Sequence, residues 1–167
     1  SKHFYYHVML PLLNATIYVR IYGVPISLEK LEEIERELTQ ELQQMESDIK
    51  RTWNIENVRS NQELERVFTL LGLTKEETGT TDTGRMKLDK YVLADLSLRE
   101  DKVGELARTV LEYKKKSHIL RSYVHQMKRY IFINKHTNVP SVAPSFKLHA
   151  SVTYRINTEE PLSLIHI

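Results

Sequence analysis

The sequence predicts a mainly α fold: a long antiparallel helical hairpin with short helices at its tip, ending in a β-strand of an incomplete sheet. Three observations predict it. Two segments, one after Ser27 and one after Asp101, repeat apolar residues at three- and four-residue steps, the signature of long amphipathic helices. Between them lie short apolar stripes bounded by cap and turn residues. After Pro144 the apolar period drops to two, which specifies a half-buried strand.

The composition bounds the class. With 167 residues, 24 Lys plus Arg against 22 Asp plus Glu and 41% apolar residues, the chain suits one or two soluble globular units and excludes fibrous, collagenous and disordered polymers. It has no cysteine, so disulfides, thiolate metal sites and cysteine nucleophiles are ruled out. No apolar run approaches the ~20 residues that span a bilayer, and SKHFYYHVML lacks the continuous apolar centre of a signal peptide. A cytoplasmic protein without a membrane partner is expected. Ser1 in place of an initiator methionine reads as a processed or truncated piece.

In chain order, Tyr5 to Tyr22 is dense in apolar residues until Gly23, Val24 and Pro25 break it, giving a helix and a short extended link over 1–26. Ser27 caps the first long helix, whose stripe is Leu31, Ile34, Leu38, Leu42, Met45, Ile49 and Trp53, with glutamates mostly off that stripe. Ser60 and Glu63 form a capping box before a short helix through Leu64, Val67, Phe68 and Leu71, which Gly72 closes in a left-handed conformation. TKEETGTTDTGRMKLD then reads as an exposed loop, and Val92, Leu93 and Leu96 mark another short helix. The second long helix runs from about Asp101 to about Lys128, acidic at its start and basic at its end, as the helix dipole favours. The hairpin thus covers 27–139 with its tip at about 57–97. Pro140 and Pro144 set off the strand of residues 140–161, where Phe146, Leu148, Ala150 and Val152 alternate with polar residues, and 162–167 form an unmatched tail.

Charge is unevenly distributed. From Tyr113 to Thr158 there is no Asp or Glu, while Lys114, Lys115, Lys116, Arg121, Lys128, Arg129, Lys135, Lys147 and Arg155 carry nine positive charges. Tyr113, Tyr123, Tyr130, Phe132, Phe146 and Tyr154 are interleaved with them. This pattern fits a polyanion such as a sugar-phosphate backbone, or equally a solvated helix face above ordinary core aromatics. No P-loop or dinucleotide fingerprint is present. His3 with His7, and His118 with His125, share helical spacing but have no third ligand nearby. No nucleophile elbow or paired-carboxylate site stands out. The two apolar stripes could pair within the chain or form a coiled-coil dimer; matching stripes in one chain favour the former.

SFKLHASVTYRINTEEP, residues 145–161, resembles the LHGTVTGRLSSSNP strand that opens the palm in family A DNA polymerases, the group of bacterial DNA polymerase I and many bacteriophage enzymes. LEYKKKSHILRSYVHQM, residues 111–127, is similar to the family's thumb helix LEYRQLAKLKSTYVDGL without a gap. NVRSNQEL with VFTLLGL resembles NINSPKQL with LFEKLGL, TDTGRMKLD resembles TPTGAPSTD, and LPLL followed by YGV resembles the signatures before the thumb. The resemblance covers nearly the whole chain.

What the resemblance implies is a thumb that grips the minor groove of duplex primer-template DNA. Thr153 and Arg155 match the TGR element, Ser122 and Tyr123 the thumb's TY positions, and Thr83 and Gly84 the tip loop, while Lys114 stands where the family has arginine. Lys115 and Arg121 complete the expected DNA-binding set. Tyr154 replaces the glycine of TGR, Leu120 and Arg121 stand where the family has Lys and Ser, and Arg20 replaces glutamate. After Pro161 the family's NLQNIP gives way to LSLIHI. The resemblance further implies that this chain holds no catalytic residue and no cofactor and is inactive alone, Mg²⁺ and the chemistry belonging with the remaining palm and fingers of a polymerase in a bacterial or phage-infected cell. The competing expectation is a non-enzymatic helical hairpin or coiled-coil adaptor, and a pseudo-polymerase remnant is the third.

Overall fold

The computed structural model describes residues 2–147 and 157–159. The fold is mainly helical, and the chain forms two compact units, Ser1–Glu35 with Ile119–Ile167, and Arg36–His118. In chain order the elements are α1 (residues 2–22), β1 (Val24–Pro25), α2 (Leu28–Trp53), α3 (Asn61–Leu70), α4 (Lys75–Thr78), α5 (Lys90–Leu96), α6 (residues 102–129), β2 (Ile131–Ile133), β3 (Pro140–Val142), β4 (Ser145–Lys147) and β5 (Asn157–Glu159). Two helices change register internally. Tyr5–Met9 of α1 and Leu120–His125 of α6 take the wider π hydrogen-bonding pattern, which inserts a residue relative to the α spiral.

The unit Arg36–His118 is the helical hairpin with its tip. Within it α2 and α6 run antiparallel, since Glu41 pairs with Lys116 at 3.0 Å while Glu46, further along α2, meets Tyr113, further back along α6. Leu42 and Ile49 of α2 and Val103, Leu106, Ala107 and Val110 of α6 are buried with Leu64, Val67 and Phe68 of α3. The stripes are therefore consumed inside one chain, and α2 offers no coiled-coil seam in this unit.

Caps fix where each helix starts and stops. The Ser27 hydroxyl accepts the Lys30 amide, Asp89 accepts those of Tyr91 and Val92, and Asp101 accepts that of Gly104. Leu73 donates to the Phe68 carbonyl and Gly72 (φ 90°) to that of Thr69, a Schellman stop closed by contact-buried Phe68 and Leu73.

The expected Ser60–Glu63 box is only half formed. Ser60 accepts the Glu63 amide, but the Glu63 carboxylate turns back to the amides of Glu56 and Asn57, because the Ser60 amide already donates to Asn57. The reciprocal box lies instead at Thr74 and Glu77, opening the single turn of α4. Part of the segment expected to be an exposed loop is thus helical, and Thr78, Met86 and Leu88 within it are buried.

The other unit holds α1, the first turns of α2, the last turns of α6 and the strands. The sheet is antiparallel in the order β1-β3-β2, with Val24 opposite Val142 and Phe132 opposite Ser141. Pro140, expected to separate helix from strand, is instead the first residue of the central strand, a position where a missing N–H is tolerated. Gly23 (φ 70°) joins α1 to β1, and a Cβ there would sit 2.9 Å from both Phe132 and Ser141, so the turn requires glycine. Asn134 is buried, accepts the amides of His136 and Thr137, and donates to the Tyr22 carbonyl, tying the β2–β3 turn to the end of α1. β4 pairs with β5, Ser145 opposite Glu159; the rest of the strand expected over 140–161 and the tail from 162 fall outside the described residues.

Gly104 yields a prediction of unusual sign. Glycine inside a helix ordinarily costs about 1 kcal/mol relative to alanine, yet a Cβ at Gly104 would run into the Arg99 backbone carbonyl. Backbone cannot yield as a side chain tip does, and overpacking costs about 1–3 kcal/mol. Gly104→Ala is expected to lower the denaturation midpoint in urea; an unchanged or raised midpoint would contradict the packing described.

Candidate nucleic-acid interface

The tip loop between α4 and α5 is held from behind. Glu65 of α3, its side chain 19% exposed, accepts the Met86 amide at 3.2 Å and pairs with Lys75 at 3.2 Å. These contacts, the Met86 amide foremost, hold its carboxyl below the ordinary value. Lys75 also donates to the Gly84 carbonyl at 2.8 Å. Across the loop Thr81 exchanges hydrogen bonds with Arg85, and Gly84 (φ 72°) donates to the Thr81 carbonyl at 2.8 Å. Thr83, Gly84 and Arg85 are exposed, with the Thr81 and Thr83 hydroxyls 3.0 Å apart. The structure therefore presents Thr83 and Gly84 on an ordered turn. Arg85, beside them, was not singled out by the sequence, since one arginine in a Thr- and Gly-rich stretch carries no period.

In the same unit, three successive lysines of α6 have three different environments. The Lys114 amine donates to the Leu88 carbonyl at 3.2 Å, and burial pushes its pKa down. Lys116 lies 3.0 Å from both Glu112 and Glu41, whose hydrogen bonds raise its pKa. Lys115 points to solvent. Tyr113, counted among the interleaved aromatics, is a core residue at 1% exposure, its hydroxyl donating to Glu46 and accepting from Arg59 at 3.2 Å. Desolvation, then the Glu46 carboxylate, raises its pKa.

In the other unit, the π turn of α6 buries Leu120 and Val124 and leaves Arg121 exposed, with Ser122 and Tyr123 half-buried. Lys128 is ion-paired with Glu35, whose other oxygen lies 3.2 Å from His125. Arg129 and Lys135 are exposed. The described cations of this stretch therefore differ in what they face. Lys114, Lys116 and Lys128 are occupied by a carbonyl or by α2 carboxylates, and the outward cations of α6 in this stretch are Lys115, Arg121 and Arg129. The α2 glutamates likewise do not all face outward, because Glu35, Glu41 and Glu46 turn towards α6 groups. Thr153, Tyr154 and Arg155 lie outside the described residues, as do the side chains of Phe146 and Lys147. Among the described residues no group of three His, Asp or Glu could hold a metal ion, and no helix is long and apolar enough to cross a membrane.

The Glu35 cluster makes stability depend on acid. The Lys128 hydrogen bond, aided by charge attraction and by His125, holds the Glu35 carboxyl below its ordinary 4.5. A carboxyl with a depressed native pKa adds stability that is complete above the unfolded pKa and is lost as pH falls through the native one. The difference in stability between wild type and Glu35→Gln is expected to shrink as pH falls below about 4.5. Urea denaturation across that range checks it, and a gap that stays constant into strong acid would mean Glu35 is not held as described.

Two comparisons with known proteins bear on the chain. The model of DNA polymerase family A matches residues 28–165, which takes in α2 to β5 and leaves α1 outside the matched span. The DNA polymerase of Escherichia phage T5 is 30% identical over 137 residues, covering 74% of this chain. The chain spans about 15% of the length of that relative. With most of its length matched by the family model, including every element of the helical hairpin and its tip, this chain belongs to the DNA polymerase A family.

Proposed function

We propose that the chain is the thumb and the start of the palm of a DNA-directed DNA polymerase, and that it holds the primer-template duplex during replication or repair. The observation that carries this reading is the family match through the whole hairpin, joined to exposed cations on the helix that resembles the thumb helix. The nucleotidyl transfer of the parent enzyme is then supplied by the remaining palm and fingers. On this reading the carboxylates that hold Mg²⁺ belong to that remaining polypeptide, and the chain alone is inactive. Its setting is the cytoplasm of a bacterial or phage-infected cell.

In this reading each unit brings its own contacts to DNA. The tip offers the Thr83 hydroxyl, the Gly84 turn and Arg85; α6 offers Lys115, Arg121 and the Ser122–Tyr123 pair. Phosphate contacts by cations release counterions and carry no base information. Arg155 and Thr153, on the resemblance, reach the minor groove, where an arginine donates to the N3 or O2 acceptors that every base pair presents. Both modes grip without sequence choice, as a polymerase requires. Lys114 would first have to leave the Leu88 carbonyl, so it is assigned a supporting part.

Duplex binding measured by fluorescence anisotropy over a salt series tests the reading. A slope corresponding to about 3 to 5 neutralised phosphates is expected. Lys115→Ala and Arg121→Ala should each reduce its magnitude by about 1, whereas Lys114→Met should leave it unchanged. Binding indifferent to salt, or no binding by the chain, would defeat the assignment.

A further inference from the structure

We infer that α1 is an interior helix of the polymerase, whose apolar surface docks against polypeptide of the same enzyme beyond these 167 residues. This rests on the thumb reading, which places the chain within a larger enzyme. Of the 21 residues in 2–22, 14 are apolar, the charged ones are Lys2 and Arg20, and no acid occurs before Glu29. Yet none of the residues of α1 is buried. Tyr5, Tyr6, Leu13, Ile17, Tyr18 and Ile21 are each 40–60% exposed. The other long helices, α2 and α6, set buried apolar residues along one side.

The distribution of these side chains selects the occupant. Adjacent residues on a helix point about 100° apart, so the neighbours Tyr5 and Tyr6, or Ile17 and Tyr18, face different directions. The apolar positions accordingly surround the helix. A two-stranded coiled coil covers one narrow seam and would leave most of this surface wet, which argues against a second copy of the chain. A helix apolar on all sides belongs inside a larger body.

Such a body is in keeping with the family, since this chain corresponds to 15% of the length of the phage T5 polymerase. The helix is also well placed to dock as a unit. Its last turn is anchored through the Tyr22 carbonyl to Asn134 and through the Tyr22 ring to His136, and Gly23 leads directly into the sheet.

Hydrogen exchange of residues 2–22, compared between the 167-residue chain and the complete polymerase that contains it, tests the inference. Exchange slowed by about 100-fold or more in the complete enzyme is expected, a local opening made costly by docking. Equally slow exchange in the isolated monomer would mean that the chain covers α1 itself. Slow exchange accompanied by a dimeric mass would assign the surface to a second copy. Fast exchange in both would mean that nothing docks there, and each of these three results overturns the proposal.

In the complete polymerase, Leu13→Asp with Ile17→Asp should remove the protection, while the apolar pair Leu13→Met with Ile17→Val should leave it in place. Salt-dependent duplex binding by the unaltered samples reports separately on the thumb reading, so either idea can fail without the other.

Discussion

The structure depends on carboxylates of α2 meeting hydrogen-bond donors of α6 along an antiparallel pair. In the hairpin unit Glu41 takes Lys116, and Glu46 takes the Tyr113 hydroxyl; in the other unit Glu35 takes Lys128 and His125. The apolar stripes alone would allow α2 to slide by a turn against α6 at modest cost, because leucine, isoleucine and valine substitute for one another in a packed seam. A buried tyrosine hydroxyl has no such tolerance. Left without its partner it costs the desolvation of a polar group, about 1–3 kcal/mol. Tyr113, at 1% exposure with both Glu46 and Arg59 on its oxygen, therefore sets the register that hydrophobic packing leaves loose.

The same pairing reshapes the electrostatics. A linear count makes the second half of the chain strongly basic and the first long helix acidic. Folding brings these runs together, so charge is spent internally at Lys116 and Lys128 and left outward at Lys115 and Arg121. An exposed ion pair adds little stability, but it still cancels the field that a cation would present to a phosphate. Affinity for a polyanion is governed by where unpaired cations stand, and on α6 these alternate with lysines that look inward. Arg121 illustrates the point: the π turn buries Leu120 and Val124 and leaves the guanidinium outside, so a cation stands exposed one position beyond where the family's lysine falls.

Much of the fold was legible because long helices repeat their signal. The stripes of α2 and α6, the Ser27 cap and the left-handed stop at Gly72 all follow from spacing and from two or three residues of local chemistry. The strands β1, β2 and β3 were not legible, as two- and three-residue strands contain no period and are defined by their partners; that of Val24 in β1, Val142, lies more than a hundred residues away. The α4 turn is too short for an apolar stripe, although Thr74 and Glu77 carry the spacing of a capping box. Tyr113 was left open between surface and core for a different reason. An aromatic among lysines looks the same in one dimension whether its ring faces solvent or core.

The tip loop shows how a Thr- and Gly-rich surface can be made firm. Thr- and Gly-rich segments pay a large entropic cost on ordering, and a hydroxyl that must first be immobilised gains little from a phosphate contact. Here the ordering is done by groups behind the loop: Glu65 holds the Met86 amide and Lys75, and Lys75 holds the Gly84 carbonyl. Thr81 and Thr83 are then presented on a turn already closed by backbone bonds to Gly84 and Arg85. In the proposed function such hydroxyls would add contacts to a nucleic-acid backbone without adding charge, and its salt dependence would fall to Arg85 and the outward cations of α6. A duplex held as proposed would still be able to translate past the protein, because neither hydroxyl nor cation contacts to phosphate distinguish one base pair from the next.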